Sequence, residues 1–180
     1  MSEIVEKPGS WLWGRRSGLA LAVLAATFVI DQIHKFWMIY VYDIASKGPV
    51  AVSPYLDLVF VKNVGISYSL FNQDSQIGQY LLAGFAAAVS VALWIWIARG
   101  AADRLMAISL ALIIGGALGN ALDRVLLGGV ADFFLIHFVP GNPKFDWYVF
   151  NIADVAIVAG VLGLLYDSFR TSRNDAANPL

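Results

Sequence analysis

Residues 18–40 read GLALAVLAATFVIDQIHKFWMIY. Lys7, Arg15 and Arg16 precede an apolar run from Gly18 to Ile30, which is the layout of a secretory signal. The stretch continues through Phe36, Trp37, Met38, Ile39 and Tyr40, with no small-residue cleavage site followed by a polar mature start, so it reads as an uncleaved membrane anchor. A spanning helix needs about 20 mostly apolar residues. Roughly 17–41, 78–98, 105–122 and 151–167 meet that requirement, which predicts four transmembrane helices in a single membrane domain covering 1–180. Composition agrees: 59% of the 180 residues are hydrophobic, 14% are charged and mean hydropathy is +0.69.

The same composition removes several functional classes. A net charge of −1 without long runs of either sign gives no electrostatic footprint for nucleic acid. The absence of cysteine excludes disulfides, thiolate metal sites and cysteine nucleophiles. The only histidines, His34 and His137, form no clustered imidazole site, so no metal and no cofactor is expected. Carboxylates remain as candidate catalytic groups.

Basic residues in short flanking segments set the expected orientation. With both termini cytoplasmic, Lys7, Arg15, Arg16, Arg99, Arg104, Arg170 and Arg173 fall inside, against Lys47, Lys62, Arg124 and Lys144 outside. The outer segments are then about 42–77 and 123–150. Val50, Val52, Tyr55, Val59, Phe60 and Val61 make the first strand-rich, with Pro49 and Pro54 bracketing its start and Gly65 as a bulge or close-approach point. The second reads as a further outer loop, and the tails 1–10 and 171–180 read as polar and mobile.

Ionisable residues at the edge of the hydrocarbon are costly, and each is a functional hypothesis. Asp31 and Lys35 share a face at i, i+4. They are either an ion pair orienting the first helix or part of a site. Beyond the glycines of GGALGNALDR (115–124), which mark close packing, Asn120 and Asp123 share a face, and Arg124 can hold a carboxylate bidentately. Asp132 lies among apolar neighbours in GVADFF (129–134), where burial favours its neutral form. In FNIAD (150–154), Asn151 is a good N-cap, and Asp154 sits in the first turn with the helix dipole. Capping accounts for Asn151 but not for a second acid at the mouth of an apolar span. Two carboxylates at one depth can share a proton, as aspartic-protease chemistry requires, although charged pairs at membrane edges also serve structure alone.

Taken together, Asp31-xxx-Lys35, Asn63-x-Gly65-x-Ser67-Tyr68, the 115–124 run, Val130-x-Asp132-Phe133 and Phe150-Asn151-x-Ala153-Asp154 resemble bacterial lipoprotein signal peptidase, the type II signal peptidase. The resemblance implies an inner-membrane aspartic endopeptidase that removes signal peptides from diacylglyceryl-modified prolipoproteins, cutting before the lipidated cysteine. It places the catalytic dyad on Asp132 and Asp154. Supporting or substrate-binding positions fall on Asp31, Lys35, Asn63, Gly65, Asn120, Asp123, Arg124 and Asn151. It also implies a mainly α, integral membrane fold, with a small periplasmic β-sheet cradle and a second outer loop. The expected partners are lipidated prolipoproteins and membrane lipids, and the expected working unit is a monomer. The chain departs from the family pattern at Ser67-Tyr68, Ala131 and Tyr148-Val149, where Ala-Phe, Val and a proline are more usual; these touch substrate fit and loop shape, not a carboxylate.

Two other classes remain to be weighed. A proton relay needs ionisable groups through the membrane thickness, whereas the second helix has none between Gln79 and Arg99. A structural membrane subunit would use every polar residue for packing.

Overall fold

The computed structural model describes residues 11–65, 75–100, 103–139 and 147–177, with 171–177 described by backbone alone. Helix α1 (Ser17–Phe36) continues into a π-helical turn at Trp37–Val41, closed by Tyr42 N donating to Trp37 O at 2.8 Å. A short helix α2 (Ile44–Lys47), strands β1 (Val50–Ser53) and β2 (Leu56–Asn63), helices α3 (Gln76–Ala98) and α4 (Arg104–Leu127), strand β3 (Val130–Ile136) and helix α5 (Ile152–Ala177) follow. Among the described residues, four helical segments are long and apolar enough to cross a membrane, Ser17–Val41, Gln76–Ala98, Arg104–Leu127 and Ile152–Arg170. This is a multi-pass membrane protein.

Two helix ends differ from the sequence reading. Helix α4 does not stop at 122 but runs to Leu127, where Gly128 at φ +69° supplies the left-handed cap. Asp123 and Arg124 therefore belong to the helix, because their polar groups find partners there. Helix α5 extends through the segment read as a mobile tail as far as Ala177. No glycine or proline stands between Leu164 and Ala177, and Asp167 pairs with Arg170 at 2.9 Å in that stretch. Residues 1–10 and 178–180 lie outside the described residues.

Helix α4 is the central element, packing against α1, α3 and α5. Small residues let it approach its neighbours closely in a lipid environment. A Cβ on Gly116 would lie 2.5 Å from Ala153 O of α5, and one on Gly119 would lie 2.7 Å from Asp31 Oδ2 of α1. These contacts bring the start of α5 and the far half of α1 onto one stretch of α4. Ala20, Ile97, Ala107, Leu110, Ala111 and Ile114 fill the core between the helices.

The three strands form one antiparallel sheet in the order β1-β2-β3. The first outer segment thus carries the expected strands. The second is more than a loop, since Val130–Ile136 pairs with β2. That strand is hard to read from sequence because Val130, Ala131, Asp132 and Phe133 are all buried, so no apolar-polar alternation shows. The β2 irregularity lies between Leu58 and Val61, opposite Phe133, and not at Gly65. A bulge there re-aims the neighbouring side chains, and Asp132, paired with Val61, is next to it. His34 ties α1 to β3 by stacking on Phe134 at 5.2 Å and meeting Phe133 edge-on at 5.5 Å.

Candidate active site

The N-terminus of α5 carries backbone N–H groups that need acceptors. Asn151 and Asp154 cap each other: Asp154 N donates to Asn151 Oδ1 at 3.0 Å, and Asn151 N donates to Asp154 Oδ2 at 3.1 Å. Ala153 N donates to Asp31 Oδ1 at 3.0 Å, so a carboxylate on α1 completes the cap of α5. The role of Asp31 is invisible to local spacing, since 122 residues separate the two partners.

The other Asp31 oxygen begins a buried ionic cluster. Lys35 Nζ lies 2.8 Å from Asp31 Oδ2, 2.8 Å from Asp123 Oδ2 and 3.0 Å from Asn120 Oδ1. Gln32 Nε2 bridges the same carboxylates, at 3.1 Å from Asp31 and 3.3 Å from Asp123, and Ala131 N donates to Asp123 Oδ2 at 3.1 Å. Burying charge is tolerable only when it is paired and hydrogen-bonded, and this cluster meets both conditions. It also fixes α1, α4 and the start of β3 with respect to one another.

Asp132 and Asp154 line one cavity of about 180 Å³ together with Asn63, Asn120, Arg124, Val130, Tyr148 and Ile157. Asn151 joins the pair: its Nδ2 donates to Asp132 Oδ1 at 2.6 Å, while its backbone N reaches Asp154. Asn120 donates to Asp154 Oδ1 at 2.9 Å and accepts from both Lys35 and Asn151. Asn63 Nδ2 donates to Asp132 Oδ2 at 3.1 Å. Burial, and after it the neighbouring Asp154 charge, pushes the Asp132 carboxyl up to about 7, against the opposing pull of Asn63, Asn151 and Lys35. A second, apolar groove of about 280 Å³ shares Asp154 and Tyr148 with this cavity and is lined by Phe138, Trp147, Phe150 and Val155.

The structure thus gathers Asp31, Lys35, Asn63, Asn120, Asp123, Arg124, Asp132, Asn151 and Asp154 into one connected region. Gly65 enters through its backbone: its N donates to Asn63 Oδ1 at 3.0 Å, and its carbonyl accepts from Arg124 at 3.2 Å. The expected bidentate hold of Arg124 on a carboxylate is corrected. Its described hydrogen bonds go to the carbonyls of Gly65 and Asn120, because Lys35 already neutralises Asp123. Ser67, Tyr68 and Lys144 lie outside the described residues. Sequence reasoning missed Gln32, Gln79 and the cavity position of Tyr148. For the two glutamines the available signal was an amide in an apolar span; for Tyr148 it was the departure from the family's proline.

Four described spanning helices, with two acids and two amides lining a cavity at the sheet end, define the class, a polytopic membrane protein with an embedded carboxylate site. The family model for signal peptidase (SPase) II matches residues 23–170. The lipoprotein signal peptidase of Nitrobacter hamburgensis is 51% identical over 154 residues, covering 86% of this chain and 92% of that protein. The lipoprotein signal peptidase of Methylocella silvestris is 48% identical over 155 residues, covering 86% and 88%. A bacterial membrane enzyme solved by the in meso method at 2.3 Å shares the fold, with a TM-score of 0.71 at 22% identity over 91% of this chain and 94% of that one. The chain belongs to the signal peptidase II family and is a peptidase.

Proposed function

We propose that this chain is an aspartic endopeptidase that removes signal peptides from diacylglyceryl-modified prolipoproteins, cutting before the lipidated cysteine, with Asp132 and Asp154 as its catalytic pair. The observation that carries the reading is the cavity that both carboxylates line, with Asn151 hydrogen-bonded to each of them. Asp154, held at the N-terminal dipole of α5 and accepting from Asn120 and Asn151, is suited to be the ionised member that takes a proton from water. Asp132, whose carboxyl titrates near 7, is suited to donate a hydrogen bond to the scissile carbonyl. Water attack gives a tetrahedral intermediate whose oxyanion faces Asp132 and the Arg124 charge. Return of the proton to the leaving amine then breaks the C–N bond.

The apolar groove beside Asp154 supports a lipid-modified substrate. An alkyl chain can enter it without stranding hydrogen-bonding groups, whereas a peptide backbone would leave N–H and C=O groups unpaired there. The enzyme acts as a single membrane domain in the bacterial inner membrane, both termini cytoplasmic and the site near the periplasmic face. A reporter active only outside the cytoplasm, fused after Leu180, should therefore be silent; its activity would reverse the topology.

The direct test is cleavage of a lipidated prolipoprotein peptide by the purified protein, with and without a chelator. Cleavage that survives exhaustive chelation and fails on the unlipidated peptide is expected. Loss on chelation with recovery on added zinc would overturn the dyad mechanism.

A further inference from the structure

Gln79 sits in the first turn of α3 and is 1% exposed, yet α3 lends no side chain to the wall of the catalytic cavity. Its Nε2 donates to Val64 O at 2.6 Å. Val64 and Gly65 follow directly on β2, and Arg124 holds the next carbonyl, that of Gly65, at 3.2 Å. Two side chains from two helices thus grip consecutive peptide groups.

The gripped segment does one thing for the site. Gly65 N donates to Asn63 Oδ1 at 3.0 Å, which fixes which end of the Asn63 amide points where, and Nδ2 is left to donate to Asp132 at 3.1 Å. If the Val64 peptide swung away, Gly65 N would move with it and the amide of Asn63 could rotate. We propose that Gln79 is a positioning residue for the reaction, clasping the Val64 carbonyl so that the Asn63 amide stays on Asp132. The inference rests on the reading of Asp132 as a catalytic residue. A purely structural Gln79 would anchor the start of α3 and nothing more.

Gln79→Met keeps the bulk of the side chain and removes the donor. The expected result is a kcat about tenfold lower, the worth of one hydrogen bond, with KM for the lipidated peptide within about twofold. The alkaline limb of the pH profile should move upward, because the Asn63 bond favours ionised Asp132 and its loss favours the protonated form. Adding Gln79→Met to Asn63→Ala should cost little beyond Asn63→Ala alone. Gln79→Asn, which keeps the amide but not its reach, replaces the methionine variant if that protein does not fold. Parental kcat with an unmoved alkaline limb, or losses that multiply in the double variant, would overturn the inference. Asp132→Asn run in parallel separates the two readings. Its retained activity would sink the dyad, whereas an inactive Asp132→Asn beside a parental Gln79→Met would sink only the role of Gln79.

Discussion

Each end of the helix bundle carries a cation set between two carboxylates, and the two clusters are built differently. At the sheet end, Lys35 lies 2.8 Å from both Asp31 and Asp123, with side-chain exposures of 3%, 0% and 4%. At the other end, Arg170 lies 2.7 Å from Asp103 and 2.9 Å from Asp167, but Arg170 and Asp103 are about half exposed. The second cluster has solvent at Arg170 and Asp103, and only Asp167 is buried. The Lys35 cluster is buried throughout, and its spare lone pairs are met by Ala131 N, Ala153 N and Gln32. A buried ion pair contributes little net stability against an apolar replacement. What Lys35 and its carboxylates supply is geometry: they join α1 to α4, to the start of β3 and to the cap of α5, the elements that carry Asn120, Asp132 and Asp154.

The largest expected effect follows from breaking the buried cluster. Lys35→Ala leaves two buried carboxylates without their cation, at a cost of about 3–5 kcal/mol. Chemical unfolding in detergent should show a large loss of stability, and cleavage should fall with it. Parental stability would mean that Asp31 and Asp123 do not depend on Lys35.

The second effect is on pH dependence. Asp132 carries a carboxyl raised to about 7 by burial and by Asp154. Its proton is required in the proposed reaction, so kcat/KM should fall as pH rises through about 7. The sign for stability is the same. A carboxyl with a folded pKa above its unfolded value of about 3.9 costs nothing below that value, and its penalty grows as pH rises towards the folded pKa. A rate that climbs steadily to pH 9 would contradict the assignment of Asp132 as the protonated partner.

The smallest effect belongs to the exposed cluster. Arg170→Ala should cost clearly less stability than Lys35→Ala and leave kcat unaltered, since Arg170 and Asp103 are half exposed and screened and only one buried carboxylate, Asp167, loses its cation. A loss as large as that of Lys35→Ala would erase the contrast between the two ends.

The four spans were legible because hydropathy reports burial in lipid directly, and β1 and β2 because β-branched residues and prolines bound them. Strand β3 was not, since burial on both faces hides its period of two and its partner lies some 70 residues upstream, as in the pairing of Val61 with Asp132. The end of α4 was misplaced because charge at Asp123 and Arg124 reads as an exit from the membrane, while Gly128 just beyond was the better stop signal. The site residues were visible as costly polar groups at one depth, and their grouping came from motif resemblance. Their wiring, Asp31 to the cap of α5 and Gln79 to Val64, joins positions too distant in sequence for spacing to reveal.

The central claim is that Asp132 and Asp154 perform the chemistry while the amides and the Lys35 cluster hold them. The most direct measurement is single-turnover cleavage of a lipidated prolipoprotein peptide by purified, folded Asp132→Asn and Asp154→Asn, with Asp57→Asn as the control. Asparagine preserves size and most hydrogen bonding but cannot exchange the proton. Both variants should bind the peptide and insert into membranes, yet show no cleavage above background. Asp57 pairs with His137 at 3.1 Å on the sheet, outside the lining of the cavity, and its variant should cleave at close to the parental rate. A folded Asp132→Asn or Asp154→Asn protein cutting near the parental rate would contradict the account.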